Sequence, residues 1–458
     1  MPDVSADLGI AELVAGFRDG SISPVDVTEK YLTRIADHDN DTHAFVTVTA
    51  DLARAQAASA ARDYAAGSPT GPLAGVPVSI KDAFYVSGVP TTLGSALYGQ
   101  VAKRDSGVVR RLRAAGAVFL GKTNTAEFGQ SATSENRLGP DTTNPWNRTR
   151  TPGGSSGGAA ASVAAGLAPV AVGSDGGGSI RIPASFCGVY GMKPTYGACP
   201  DEKGFRGMTD FVCPGPLSRS VADARVVVGT LSGHHFPRRD VPHLRIAYCA
   251  RPEGRPVSAA VTAAVARVAT VLGEAGHDVD AVDLPLDGWN DIFGPLVLED
   301  EHRERGHLLS LHADELSRYE RSSLRAAVGL DSVAVDRAEE LLPEYRRRVG
   351  DLFDGYDILL TPATAVPAFP LGQRPTEIDG HPVGQLWGAF PFAVPFNVAG
   401  TPAASVPCGF DDGLPVGAQL VARRGADHLL LDISELVEEA VAFGPGLIGA
   451  PAAATSLL

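Results

Sequence analysis

The chain has 458 residues, 44% of them apolar and 20% charged, which describes a globular protein with a sizeable core, either two to three domains or one large α/β unit. Its 39 Lys and Arg against 53 Asp and Glu leave a net charge of −14, which counts against a nucleic-acid partner and reads as solubility. No apolar stretch approaches the roughly 18 residues of a membrane span, and the N-terminus lacks a secretion signal, so no membrane is expected and the cytoplasm is the default location. Five cysteines (Cys187, Cys199, Cys213, Cys249 and Cys408) form no C-x-x-C pair, which excludes a disulfide framework or structural zinc site as the organising device.

Apolar residues Ile10, Leu13, Val14 and Phe17 predict a helix that stops at Asp19-Gly20. Ser23 as N-cap and Pro24 start a second, to about Ala36, and an Ala-rich third runs from about Asp51 to Ala66. Together these read as a helical layer over residues 1–70. The run from Leu73 to Ile80 predicts a strand that delivers Lys81-Asp82 at its end. A helix (106–115), a strand (117–120), a short helix near 125–130, an Ala-rich helix (158–165) and a strand (169–173) follow. This alternation argues for an α/β fold with a largely buried sheet. Residues 196–215, with Cys, Pro, Gly and Asp interspersed, read as irregular loop. Beyond Leu244 come a strand (244–250), a long amphipathic helix (258–276), a strand (277–282), a charged helical region (298–351), a buried strand at YDILLTPAT, strands at 402–409 and 415–422, and a closing helix (426–441). Residues 443–458 read as a loose tail.

Several motifs compete for the chemistry. Gly116 to Thr123 matches the phosphate-loop pattern letter for letter, but its apolar strand occupies the positions that would have to wrap a phosphate. GGSSG fits the nucleophile-elbow pattern, yet the preceding TTNPWNRTRTP is polar and proline-broken where an elbow needs a buried strand. None of the eleven histidines lies between His43 and His234, which weakens a Ser-His-Asp reading further. His302, His307 and His312 recur every five residues, off any single helix face, and read as solvated surface rather than a metal site.

Without a histidine base, lysine is the substitute, and the chain has six: Lys30, Lys81, Lys103, Lys122, Lys193 and Lys203. Lys81, Lys122 and Lys193 each follow apolar or glycine-rich segments, where desolvation lowers a lysine's pKa toward a useful range. The residues alone do not choose among these three. The stretch TPGGSSGGAAASVAAGLAPVAVGSDGGGSIR, from Thr151 to Arg181, sets Ser155/Ser156 and Ser179 between glycines, where a hydroxyl and bare amide N–H groups are presented together.

GVPVSIKD, GKTNTAEF, NPWN, TPGGSSGG, GSDGGGSIRIPASFCGVYGMKPT, GPLSRSVADA, YDILLTPATAVPAF and PFNVAGTPAASVPCG follow in the order and spacing of the amidase signature family, which the chain resembles over nearly its whole length, least from about Arg251 to Arg348. The resemblance implies a single α/β/α domain around a large mixed sheet, with residues 71–235 as its signature core and 236–442 as the remainder of the same domain, carrying substrate-pocket insertions. It implies a Ser-Ser-Lys triad of Ser179 as nucleophile, Ser155 as bridging serine and Lys81 as base. Ser155 is preferred to Ser156 because the family's two serines stand 24 apart, as Ser155 and Ser179 do. It also implies a cis peptide at Gly154–Ser155. The oxyanion would fall among the N–H groups of Gly176, Gly177, Gly178 and Ser179. Asp175 and Arg181 are expected to form an ion pair that holds this loop. The family usually carries a bulkier residue at Gly176, so a looser loop or a wider pocket is expected there. By position Phe128, Gln130, Trp387 and Phe390 are candidates for the wall of an acyl pocket, with core packing the equal alternative.

The function implied is cofactor-free and metal-free hydrolysis of a small carboxamide. Alternatives are the glutaminase-type A subunit of a tRNA-dependent amidotransferase, which needs partners, an esterase or acyltransferase of the same family, and a catalytically dead binding module. Against the amidotransferase reading, residues 196–215 lack the serine-rich, Leu-Asp-Gln pattern expected of it. The sequence leaves a homodimer open.

Overall fold

A computed structural model describes residues 8–199 and 207–443. Helix α1 (Ile10–Asp19) buries Ile10, Leu13 and Phe17 on one face and ends at Gly20, whose φ of 76° is the left-handed conformation that glycine takes without conflict. Helix α2 (Pro24–Thr42) begins where Ser23 accepts from the Val25 N–H, and it outruns the expected end near Ala36. Its stop is made by Asp39, whose carboxylate takes the N–H groups of Ala44 and Phe45. A strand not expected from sequence, β1 (Phe45–Val48), separates it from α3 (Ala50–Ala65).

The sheet that these helices cover begins with β2 (Pro77–Lys81), α4 (Gly107–Ala114) and β3 (Val118–Thr123). The phosphate-loop letters from Gly116 to Thr123 are thus mostly strand, and the expected helix near 125–130 is only a 3-10 turn, Glu127–Gly129. Next come α5 (Gly157–Ala164), β4 (Val170–Asp175), α6 (Arg181–Cys187), β5 (Tyr190–Lys193), β6 (Cys213–Ser218) and α7 (Val221–Ser232). Strand β6 corrects the loop expected over 196–215 at its end: Cys213 to Gly215 lie inside the sheet, antiparallel to β4. Pro214 and Pro216 are two apart, so both forfeit a donor toward the same neighbour, and β5 pairs only with Leu217 and Ser218 beyond them.

The second half supplies β7 (Arg245–Tyr248), α8 (Ala259–Glu274), β8 (Asp278–Ala281), α9 (Asn290–Leu311), α10 (Arg318–Val328), α11 (Ser332–Gly355) and β9 (Ile358–Pro362). A two-stranded ribbon of β10 (Glu377–Ile378) and β11 (His381–Pro382) precedes α12 (Val394–Ala399), β12 (Ala403–Asp411), β13 (Leu414–Ala422) and α13 (Asp427–Val441). Apart from Phe443, the tail expected over 443–458 lies outside the described residues.

Among the described residues the strands other than β10 and β11 form one mixed eleven-stranded sheet, in the order β1-β3-β2-β4-β6-β5-β12-β13-β9-β7-β8. Every residue of β2, β3, β4 and β13 is buried, as expected where helices cover both faces. One apolar cluster packs the first helices on β2, β3 and β4 through Leu13, Val27, Val78, Val118 and Val170. A second joins α8 and α13 to β12 and β13 through Val261, Val265, Leu420 and Leu430. The fold is the expected α/β arrangement around a large mixed sheet. Strands β2 and β4 are parallel neighbours, with Ile80 opposite Val172, so their carboxyl ends reach the same edge. That edge is where α/β sheets place their ligands, and here it brings Lys81 beside Ser174 and Asp175 at the end of β4.

Candidate active site

Lys81 leaves the end of β2 fully buried, and its Nζ donates to Ser155 Oγ at 2.6 Å and to Ser174 Oγ at 3.1 Å. Burial pushes the ammonium down from 10.5 to about 7, against the opposing pull of the Asp175 charge. The Gly154–Ser155 peptide is cis. Ser156 faces elsewhere: its Oγ donates to the Ser174 carbonyl at 3.1 Å and accepts the Ser174 N–H at 3.3 Å. The Ser156 N–H donates to the Ser179 carbonyl at 3.2 Å and so ties the two serine loops together. Ser155, Ser174 and Ser179 line one small recess of about 10 Å³, walled also by Phe128, Gly176 and Met208.

The other two candidate lysines are occupied differently. Lys122 is ion-paired to Asp82 at 2.6 Å and donates to Thr91 Oγ1 at 2.9 Å, and Asp82 is held in turn by the Thr92 N–H. Lys193 donates to the carbonyls of Pro194 and Thr401. Both are thus committed away from the serines of the recess.

Asp175 and Arg181 form the expected pair as a bidentate fork, Nε to Oδ2 at 2.9 Å and Nη2 to Oδ1 at 2.8 Å, both side chains fully buried. Burial pushes the Asp175 carboxyl up, but the Arg181 charge and hydrogen bonds, with Lys193 and Asn397 nearby, hold it well below the usual carboxylate range. Arg181 also donates to Gln419 Oε1 at 2.7 Å, Asn397 Oδ1 at 2.6 Å and the Ala393 carbonyl at 2.9 Å. Asn397 belongs to α12 and Gln419 to β13. Sequence reasoning missed Asn397, Gln419 and Ser174. The first two carry a readable signal, a polar amide inside an apolar run (PFNVAG, VGAQLVA), because such a side chain is buried only with partners.

Three expectations need correction. The Gly178 N–H is committed to Asp175 Oδ1 at 2.8 Å and Gly178 lines neither recess, whereas Gly176 and Ser179 line the first and Gly177 and Ser179 the second. The pocket is not wider at Gly176: a Cβ there would stand 2.5 Å from Met208 Sδ, so Met208 fills the space a larger residue would take. Phe390 is fully buried among Phe186, Phe369 and Ala389 and is not among the residues lining either recess at Ser179. A phenylalanine flanked by PF and Ala reads the same from sequence whether it faces cavity or core.

Phe128, Gln130 and Trp387 do reach the cavities. Phe128 sits at φ 48°, its ring fixed between Arg305, 4.7 Å above it, and the edge of Tyr98 at 5.4 Å. Gln130 lines both recesses, and Trp387 lines the second, about 20 Å³, with Gly177, Ser179, Phe293 and Arg374. That recess adjoins a surface vestibule of about 920 Å³.

A buried lysine against a serine, at the carboxyl edge of parallel strands in a mixed eleven-stranded sheet, defines a class of α/β hydrolytic enzyme. The chain belongs to the amidase signature family: the amidase family model matches residues 26–431. It is 38% identical to the A subunit of the glutamyl-tRNA(Gln) amidotransferase of Anaeromyxobacter sp. (strain K), over 94% of this chain and 96% of that one. A crystal structure of an amidase superimposes with a TM-score of 0.89 at 31% identity, covering 94% of this chain and 99% of the other. A bacterial aryl acylamidase of the amidase signature family superimposes with a TM-score of 0.86 at 29% identity, covering 94% and 96%. The protein is an enzyme acting on amide C–N bonds. No helix of the described residues is long and apolar enough to cross a membrane.

Proposed function

We propose that the enzyme hydrolyses a small carboxamide to a carboxylate and ammonia or an amine through an acyl-enzyme on Ser179. The observation that carries this reading is the 2.6 Å contact between Lys81 Nζ and Ser155 Oγ at a recess that Ser179 also lines. Neutral Lys81 takes the Ser155 proton while Ser155 takes that of Ser179, and the Ser179 oxygen forms a bond to the amide carbon. The developing oxyanion is met by the N–H groups of Gly176, Gly177 and Ser179, a kind of donor whose removal typically costs ~3 kcal/mol. Collapse breaks the C–N bond as the proton returns from Lys81 through Ser155 to the departing nitrogen. Water then repeats the sequence on the ester and frees the acid. Asp175 and Arg181 position the loop, and the chemistry requires only the amide substrate and water.

The rival reading, a glutaminase-type A subunit working within an amidotransferase, is favoured by the likeness to the Anaeromyxobacter protein. Ammonia release from a panel of carboxamides by the purified chain separates the two. Turnover by the isolated chain that is abolished in Ser179→Ala and strongly reduced in Ser155→Ala and Lys81→Ala is the expected result. Turnover only when partner subunits are added supports the rival. Faster release of the common carboxylate from matched esters than from amides would move the reading to an esterase.

A further inference from the structure

We propose that Arg374 forms an anion subsite on the acyl side of the reacting bond, selecting amides whose acyl chain carries a carboxylate. The inference rests on the amidase reading and names the substrate class of the same site.

Ser155 returns the proton to the departing nitrogen, and Ser155 lines only the first recess, so the amine leaves on that side. The acyl chain is then directed into the second recess, which Ser179 lines and Ser155 does not. Arg374 stands at the far side of this recess and also lines the vestibule, as do Ser131, Tyr319 and Leu386. It therefore marks the neck between the reacting bond and solvent.

The surroundings of Arg374 differ from those of the arginines buried in ion pairs. Arg181, Arg225 and Arg305 each hold carboxylates. Arg374 donates only to neutral oxygens: Nη2 to Ser131 Oγ at 2.7 Å and Thr133 Oγ1 at 3.2 Å, and Nη1 to the Gln385 and Leu386 carbonyls at 3.4 Å each. No carboxylate is ion-paired with it among the described residues. Tyr319 and Phe390 hold its guanidinium from two sides, with ring centroids 5.3 and 5.7 Å away. Of the three acidic side chains that line the vestibule, Glu127 accepts from Ser95 Oγ and the Ser317 N–H, Asp314 lies 3.6 Å from Arg321, and Glu135 forms no ion pair with Arg374 among the described residues. An always-charged guanidinium held by hydroxyls, carbonyls and rings, with no carboxylate paired to it among the described residues, carries a charge that a substrate carboxylate at the neck would balance. This also accounts for Phe390: it backs the arginine instead of touching the acyl group.

The test compares half-amides of dicarboxylic acids, succinamate through adipamate, with butanamide through hexanamide, and titrates the matching dicarboxylates calorimetrically. In the wild type kcat/KM favours the charged member by about tenfold or more at one chain length or more, and Arg374→Gln removes that preference while Arg374→Lys keeps part of it. Dicarboxylate binding weakens in parallel in Arg374→Gln, with circular dichroism confirming the fold. A preference for the neutral amide at every length, or a charged preference that survives Arg374→Gln, overturns the inference. Hydrolysis of neutral amides without dicarboxylate binding sinks the subsite and leaves the amidase reading standing. Dicarboxylate binding that depends on Arg374 in a protein that cleaves no amide does the reverse.

Discussion

A lysine stripped of water is a poor cation, and Lys81 at about 7 is poised to be a base near neutrality. The proposed relay requires its neutral form, so kcat/KM for a neutral amide should rise with pH and level off above an apparent pKa near 7. Lys81→Arg should be inactive throughout, because a guanidinium does not deprotonate. A profile flat from pH 5 to 9 would contradict this. The same shift has a stability sign: the unfolded lysine holds its proton up to 10.5 and the folded one releases it near 7, so this group makes folding more favourable as pH rises between those values. At Gly176 the argument is steric. Gly176→Ala meets Met208, whose Sδ, Cβ and Cγ stand 2.5, 3.1 and 3.3 Å from the new Cβ. The single variant should lose activity and Gly176→Ala/Met208→Ala should recover part of it, and a double-mutant cycle in kcat/KM checks for that positive coupling. Glycine-bounded serines and scarce lysines were readable as chemistry from the sequence, and the family spacing singled out Ser155. Met208 carried no signal, since nothing local shows that a methionine folds back over a glycine 32 positions earlier.

Among the elements, the Asp175–Arg181 fork joins the end of β4 to the start of α6 and, through Asn397 and Gln419, to α12 and β13. Removing one partner of a buried pair leaves the other uncompensated, so Arg181→Met should cost about 3–5 kcal/mol in urea unfolding. A loss below about 1 kcal/mol would show that the pair contributes little. Helix α13 meets α7 through Glu438, whose carboxylate accepts the Val221 N–H at 3.0 Å. Burial and the neighbouring Glu435, Asp223 and Glu439 charges raise Glu438 to about 7 despite that hydrogen bond. Its folded value lies above its unfolded one, so the chain loses stability as pH rises from about 4.5 to 7. Glu438→Gln keeps an acceptor and removes the charge, and should stabilise the protein at pH 8 by on the order of 1 kcal/mol. An equal or greater gain at pH 4 would refute the assignment. Long amphipathic helices such as α1 and α8 and apolar strands such as β2 and β13 were legible because burial imposes their period. Strand β6 was not, because its two prolines mimic a loop, and α6 and α12 were too short, at seven and six residues, to show a period.

For the molecule as a whole, the sequence announces strand after strand but not their order in the sheet. It is the order that makes a site: β2 and β4 are neighbours although β3 lies between them in the chain, and their parallel pairing sets Lys81 beside Ser174 and the glycine loop. The vestibule and its neck draw on segments around residues 130, 320, 374 and 387, separations at which local patterning is silent. The central claim, that Ser179 is the nucleophile driven through Ser155 by neutral Lys81, is tested most directly by intact-mass measurement after fluorophosphonate treatment, with peptide mapping of the adduct. We expect one adduct on the wild type, mapped to Ser179, absent from Ser179→Ala and formed more slowly in Ser155→Ala and Lys81→Ala. Labelling that persists in Ser179→Ala, or a folded wild type that takes no label across the pH range where Lys81 is neutral, would contradict it.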